Sequence, residues 1–203
     1  MEQIYSMRLW GDNGTDFYSG EGSHLPEIIH PYLDVVTSFL TSFDRPLSVC
    51  DLGCGDFNIG STLVRHTAQY IGVDIVEDLI DYSQRRFVRP NLEFQCLDIA
   101  VDTLPKADCA IVRQVLQHLS NKEIEQIVEK LGQYKYVLIT EHLPDNDFEP
   151  NKDIISGQGI RLKKQSGVDV LAPPFNFKVK EASVLLTIPV NKGNIVTKLY
   201  RVF

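Results

Sequence analysis

Three aspartates, Asp51, Asp74 and Asp98, each stand at or just past the end of an apolar run. The first lies two residues ahead of a turn that carries Gly53 and Gly55. Glycines where a strand runs out let the backbone approach a ligand at a distance that a Cβ would forbid. A pyrophosphate is repelled from beside the Asp51 carboxylate, whereas a ligand carrying an amino or sulfonium cation is drawn to it. The dinucleotide pattern GxGxxG also requires a third glycine at position 58, which is Asn58 here. An acid at Asp74 suits both ligands, since each carries ribose hydroxyls to donate to it. A tight turn with no ligand leaves three acids at three successive strand ends unexplained, so the turn is read as a site for a sulfonium compound.

Other positions carry weaker chemistry. His118 follows Val115-Leu116-Gln117 on a short helical turn, as a hydrogen-bonded structural histidine or as one lining an acceptor pocket. Glu141 and His142 end the fifth expected strand, where they would supply a general base, with a loop cap or a lysine pair as the plainer reading of Glu141. Asp145, Asp147, Glu149 and Asp153 match no calcium-loop spacing, and a solvated acidic loop is expected instead of a metal site. Tyr18, Ser19, Gly20 and Ser23 form either a lid or an inert packed arm.

The elements that must position these residues alternate. Leu25, Ile28, Ile29, Tyr32, Val36, Phe39, Leu40 and Phe43 recur at helical spacing, which predicts a helix over 25–43 with Pro26 in its first turn. Strands are expected at 47–52, 69–74, 92–97, 107–113 and 135–141, with helices at 58–67, 77–87 and 121–132. Ser120-Asn121-Lys122-Glu123 is a capping box for the last helix, whose buried stripe is Ile124, Ile127, Val128 and Leu131. Continuous apolar strands such as Tyr136-Val137-Leu138-Ile139 belong in a parallel sheet covered on both faces. Residues 142–181 break the pattern with prolines and polar residues, and 184–190 and 195–203 read as a hairpin around Asn191-Lys192-Gly193-Asn194.

With 203 residues, 43% hydrophobic and 23% charged, the chain has the composition of one globular domain. A net charge of −7 argues against a nucleic-acid partner, and Arg85, Arg86 and Arg89 are read as a solvated helix face. No opening run resembles a signal peptide and no stretch of about 18 apolar residues could span a bilayer, so no membrane partner and cytoplasmic residence are expected. Cys50, Cys96 and Cys109 fall in apolar strand runs, Cys54 lies in the turn, and reduced core cysteines are expected.

Asp51-x-Gly53-x-Gly55 ending the first strand, Asp74 ending the second, Asp98 after the third and the closing hairpin together resemble the class I S-adenosylmethionine-dependent methyltransferases. The resemblance covers 45–141, with the terminal strands as topology. Trp10-Gly11, the 19–23 segment, Cys54-Gly55-Asp56-Phe57-Asn58, Gly72-Val73-Asp74-Ile75-Val76, Leu104-Pro105 with Asp108, His118-Leu119-Ser120 and Asn151-Lys152-Asp153-Ile154 with Gly157 resemble a bacterial branch without a firmly assigned substrate.

The resemblance implies an α/β fold, a Rossmann-like doubly wound seven-stranded sheet with a C-terminal antiparallel β-hairpin. One domain would span 1–203: a lid segment and helix at 1–44, a cofactor core at 45–141, an acceptor-side connection at 142–181 and a closing hairpin at 182–203. It implies S-adenosyl-L-methionine as cofactor and S-adenosyl-L-homocysteine as product, with a small-molecule or glycan-type acceptor methylated at oxygen or nitrogen. Asp51, Gly53, Cys54, Gly55 and Asn58 would surround the methionine part. Asp74 would take the ribose hydroxyls, Ile75 the adenine face, and Asp98 with Ile99 the adenine edge. Tyr18 and Arg113 would complete the cofactor site, with His118, Glu141 and His142 as acid–base candidates and no metal. The alternatives are a catalytically silent cofactor-binding sensor and an aminopropyltransferase-like enzyme.

Overall fold

The computed structural model describes residues 17–203, so Trp10, Gly11 and the rest of 1–16 lie outside the described residues. The chain divides into two compact units, one ending at Cys109 and the other running from Ala110 to Phe203.

In the first unit, helix α1 (Pro26–Leu40) buries Ile28, Tyr32, Val36 and Leu40, one stripe at i, i+4 spacing. It stops three residues short of the expected end because the Thr41 and Ser42 hydroxyls take the carbonyls of Thr37 and Phe39, at 2.8 and 2.7 Å. Strands β1 (Ser48–Leu52), β2 (Gln69–Asp74) and β3 (Leu92–Cys96) pair in parallel. Asp51 lies opposite Gly72, and Asp74 lies opposite Cys96. The expected helix at 58–67 is a single turn, α2 (Gly60–Leu63), followed by a 3-10 turn at Val64–His66. Side chains end it early: Asn91 Nδ2 donates to the carbonyls of Val64 and Thr67, and the Thr67 hydroxyl also donates to Val64. Helix α3 (Glu77–Arg86) follows β2 closely. The core-cysteine expectation fails at Cys96, which the end of β3 leaves exposed; Cys50 and Cys109 are buried.

Phe57 fixes the loop after β1 to this core. Its backbone is left-handed at φ 61°, a cost of about 1–2 kcal/mol for a residue with a Cβ. Its ring is fully buried, with centroids 5.6 Å from Tyr70, 5.1 Å from Phe87 and 4.7 Å from Phe94. Burying such a ring is worth about 1.5–3 kcal/mol before the edge-on contacts are added, so packing outweighs the backbone cost.

In the second unit, β4 (Cys109–Arg113), which starts at the unit boundary, is followed by a 3-10 turn at Leu116–His118 and helix α4 (Asn121–Leu131). The capping box at Ser120 and Glu123 forms as expected, and Ile124, Ile127, Val128 and Leu131 are buried. Strand β5 (Tyr136–Leu143) runs two residues past the expected end, since β7 (Gly193–Arg201) reaches far enough to pair with it throughout. Glu141 and His142 therefore lie inside a strand, opposite Val196 and Ile195, and do not end one. Strand β6 (Glu181–Val190) pairs antiparallel with β7 across a two-residue loop, Asn191-Lys192, shorter than the four residues expected. The seven strands order as β3-β2-β1-β4-β5-β7-β6 in a mixed sheet, the α/β architecture with antiparallel closing strands that the sequence predicts.

The 142–181 connection is packed, and its buried polar side chains are hubs. Asn151 donates to the carbonyls of Asp169 and Pro173 and accepts from Asp169 N. Arg161, 1% exposed, donates to the carbonyls of Leu116, Leu119 and Lys152 and to Asn121 Oδ1. The Glu141 oxygens take the Leu116 and Gln117 N–H groups at 3.0 and 2.8 Å. The turn at 116–118 is thus gripped by the Glu141 carboxyl group on its donors and a guanidinium on its acceptors.

Two outcomes test this packing. A Cβ at Gly60 would fall 2.3 Å from Phe57 Cε2, so Gly60→Ala should destabilise the protein by about 1–3 kcal/mol in urea unfolding. An unchanged midpoint would show that Phe57 is loosely held. Burial pushes the Glu141 carboxyl from 4.5 up to about 8, against the pull of the Gln117 and Leu116 N–H groups and Arg161. Between those values the folded state keeps a proton that the unfolded chain has released, so stability falls as pH rises, by about 1.4 kcal/mol per unit from this group. Melting temperatures of wild type and Glu141→Gln measured between about pH 5 and about pH 8 should show a shallower slope in the variant; equal slopes would refute the assignment.

Candidate functional site

The mouth at the ends of β1 and β2 is made by backbone first. Gly53 N and Cys54 N both donate to the Val73 carbonyl, at 2.8 and 2.9 Å, which stitches the turn onto β2. Gly53 at φ 84° and Gly55 at φ 54° take left-handed backbone, which a side chain disfavours. The Asp74 carboxylate then bridges two loops, accepting from Gly55 N through Oδ2 at 3.1 Å and from Val76 N through Oδ1 at 3.2 Å. Burial raises its pKa, and the N–H groups of Val76, Gly55 and Ile75 draw it back. Asp51 is buried one step behind and accepts the Tyr70 hydroxyl at 2.7 Å, which together with burial holds that phenol well above its ordinary value. Cys54 has its thiol pushed well up by burial, then by Asp74 and Asp51, so it is an unreactive neutral thiol.

Beside this mouth Ile75 is 43% exposed, an apolar side chain left uncovered. Asp98 begins a tight turn in which its Oδ1 accepts Ala100 N at 2.9 Å and its own N–H goes to Asp102 Oδ2 at 2.8 Å. Ile99 is buried in that turn. On the other side, Asp56 collects the segment that precedes α1. Its Oδ2 accepts Ser19 N at 2.9 Å and faces His24 Nε2 at 2.6 Å, and its own N–H donates to Ser19 Oγ at 2.8 Å. Asn58 Nδ2 donates to the Ser23 carbonyl at 2.7 Å, and the Tyr18 ring lies 4.6 Å from that of His24. Burial raises the Tyr18 phenol, followed by the charges of Glu21 and Asp56. Sequence reasoning placed no role on Asp56 or His24, because partners 32 and 37 residues apart leave no local signal.

The second unit holds the remaining candidates. Arg113 closes β4 and Gln114 follows it in a left-handed conformation at φ 55°. His118 is engaged by the chain it faces: burial lowers its pKa, the backbone of Gly159, Gly157 and Gln158 raises it, and its carbonyl accepts Gly157 N at 3.0 Å. His142 is half-buried, its backbone N–H goes to Gln117 Oε1 at 3.0 Å, and its Nε2 has no hydrogen-bond partner among the described residues. Burial lowers its pKa and Asp145 raises it, so the ring is a neutral base near neutral pH. Arg161 and Gln117 are the residues that composition hid, one among surface-like lysines and the other in an apolar turn. Of the acidic loop residues, Asp145 takes Asn194 Nδ2, Asp153 takes Asn121 N and Glu149 pairs with Lys152. Among the described residues no three such side chains are grouped to hold a metal, and no helix is long and apolar enough to cross a membrane.

The profile of a protein family described as "Methyltransferase domain" matches residues 49–134. No curated protein matches the chain by sequence. Among solved structures, the N-methyltransferase NodS from Bradyrhizobium japonicum WM9, in complex with S-adenosyl-L-homocysteine, is similar at a TM-score of 0.70. It is 11% identical, with 98% of this chain and 97% of that one covered. Human N-acetylserotonin methyltransferase, in complex with S-adenosylmethionine, gives 0.61 at 16% identity; the match covers 88% of this chain and spans about half, 54%, of the human one. The N-terminal domain of EvdMO1, with S-adenosyl-L-homocysteine bound, gives 0.61 at 14% identity and coverage of 85% and 81%. At these identities the likeness is one of fold. Residues 49–134 thus match a methyltransferase-domain family, and the mixed seven-stranded sheet has the fold of the class I S-adenosylmethionine-dependent methyltransferases.

Proposed function

We propose that the chain transfers a methyl group from S-adenosylmethionine to a small-molecule or glycan-type acceptor, at oxygen or nitrogen, with S-adenosylhomocysteine as product. The observation that carries the cofactor assignment is the Asp74 carboxylate, which ties the glycine turn after β1 to the loop after β2 around one acidic mouth. The donor set fits the group: carboxylates accept from an ammonium and from vicinal hydroxyls, and an anionic ligand meets like charge. When bound, the cofactor supplies a methyl group on a positively charged sulfur that needs little further activation.

The chain's own residues bind and orient. Backbone at Gly53, Cys54 and Gly55 lies against the amino-acid part, with Asp51 beside its ammonium and Asn58 steadying the turn. Asp74 accepts the ribose hydroxyls, Ile75 covers the adenine face, and Asp98 with Ile99 takes the adenine edge. Tyr18 covers the mouth. Among the acid–base candidates we assign His142 to the acceptor, because its buried Nε2 has no hydrogen-bond partner among the described residues. Glu141 holds Leu116 N and Gln117 N and His118 faces the 157–159 backbone, so both are assigned to positioning.

Calorimetric titration tests the cofactor assignment. Asp74→Asn should weaken S-adenosylmethionine binding at least about tenfold, the loss of a hydrogen bond to a charged group. A wild type that binds none, or a variant that binds as well as wild type, sinks it. A labelled-methyl screen against cell extract would identify the acceptor. With that acceptor, His142→Gln should lower turnover while cofactor affinity stays within about twofold; full turnover would remove His142 from the reaction.

A further inference from the structure

The segment 17–24 touches the first unit at two places that flank Asp74. At one, Ser19, Ser23 and His24 meet Asp56 and Asn58 of the glycine turn. At the other, Phe17 packs on Val76 and Leu79, with its ring 5.4 Å from that of Tyr82 on α3. Asp74 bonds to Gly55 on the first bank and to Val76 on the second. The segment thus crosses from bank to bank of the loops that Asp74 ties together, and Gly20, at φ 86°, provides a bend that side chains disfavour.

We propose that Asp56, through Ser19 and His24, is a positioning residue that latches segment 17–24 across the candidate cofactor site and so slows cofactor release. The inference rests on the cofactor assignment made above. Asp56 grips the segment three times: Oδ2 accepts Ser19 N and pairs with His24 Nε2, and the backbone N–H donates to Ser19 Oγ. Its Oδ1 meanwhile accepts Asn58 N at 3.2 Å, so the residue that holds the segment also shapes the turn. The Asp56 side chain is 8% exposed and that of His24 25%, so their 2.6 Å contact is largely shielded from water. The His24 ring in turn carries Tyr18 against it. Releasing Ser19 and His24 frees Tyr18, while Phe17 still anchors the far bank. The segment can open at the glycine turn and stay attached at α3, which is the motion that cofactor exchange requires.

The test is the dissociation rate of S-adenosylhomocysteine, followed by stopped-flow displacement with the full chain. Asp56→Asn and the double variant Ser19→Ala, His24→Gln should each release it about tenfold faster, with a smaller change in association rate. Protease cleavage within 17–24 should be suppressed by S-adenosylhomocysteine in wild type and less so in the variants. If Asp56→Asn does not fold, the double variant, which leaves the turn intact, gives the same reading. Binding by wild type with unchanged dissociation rates in the folded variants overturns the latch and leaves the cofactor assignment standing. No binding by wild type overturns both, and weakened binding by Asp74→Asn with unaltered latch variants isolates the failure to the latch.

Discussion

The Asp74 carboxylate is held between two loops by backbone N–H groups of both, and most of the candidate site follows from that arrangement. A buried carboxylate is costly unless its lone pairs are filled, and burial alone pushes Asp74 toward the neutral acid. Those N–H groups reverse part of that pressure and in return lose their own desolvation cost. The turn after β1 and the start of α3 are thereby fixed to one group, which sets the width of the mouth between them. Phe57, wedged under the same turn, keeps the first of those loops from shifting.

The second unit uses the same physics for a different end. Glu141 projects from β5 and takes the N–H groups of Leu116 and Gln117, while Arg161 takes carbonyls of that turn from its other side. Removing Glu141 or Arg161 would leave buried backbone N–H or carbonyl groups of that turn unsatisfied, at a cost of about 1–3 kcal/mol. The turn that follows β4 is therefore rigid, and Gln117 passes that rigidity on by accepting the backbone N–H of His142. His142 is held by its backbone, and its ring Nε2 is buried with no hydrogen-bond partner among the described residues.

Much of this was legible in the sequence wherever a local pattern was also the physical cause. The strands over 48–52, 69–74 and 136–143 are apolar runs that pack on both sides, and the Ser120 capping box is a contact between neighbours in the chain. The glycine turn and Asp74 were legible because the spacing of a strand, a turn and a second strand is itself the geometry. Where side chains from far away decide, the pattern failed. Asn91 ends the helix at 60–63 from 24 and 27 residues downstream, β7 lengthens β5, and Arg161 reaches 45 residues back to Leu116. Cys96 failed for another reason: its apolar neighbours suggested a core position, but the last residue of a short strand turns outward.

The donors around the acidic mouth also bear on which ligand it favours. Asp51 accepts from the Tyr70 phenol, and Asp74 accepts from backbone amides of the two loops, all neutral donors. A lysine or arginine in their place would cancel the negative charge, whereas a neutral donor stabilises the anion and leaves its field in the mouth. Tyr70 is suited to this task, since burial and the Asp51 charge both keep its proton in place across the ordinary pH range. A Tyr70→Phe change would remove the hydroxyl that Asp51 accepts while leaving every carboxylate in the chain.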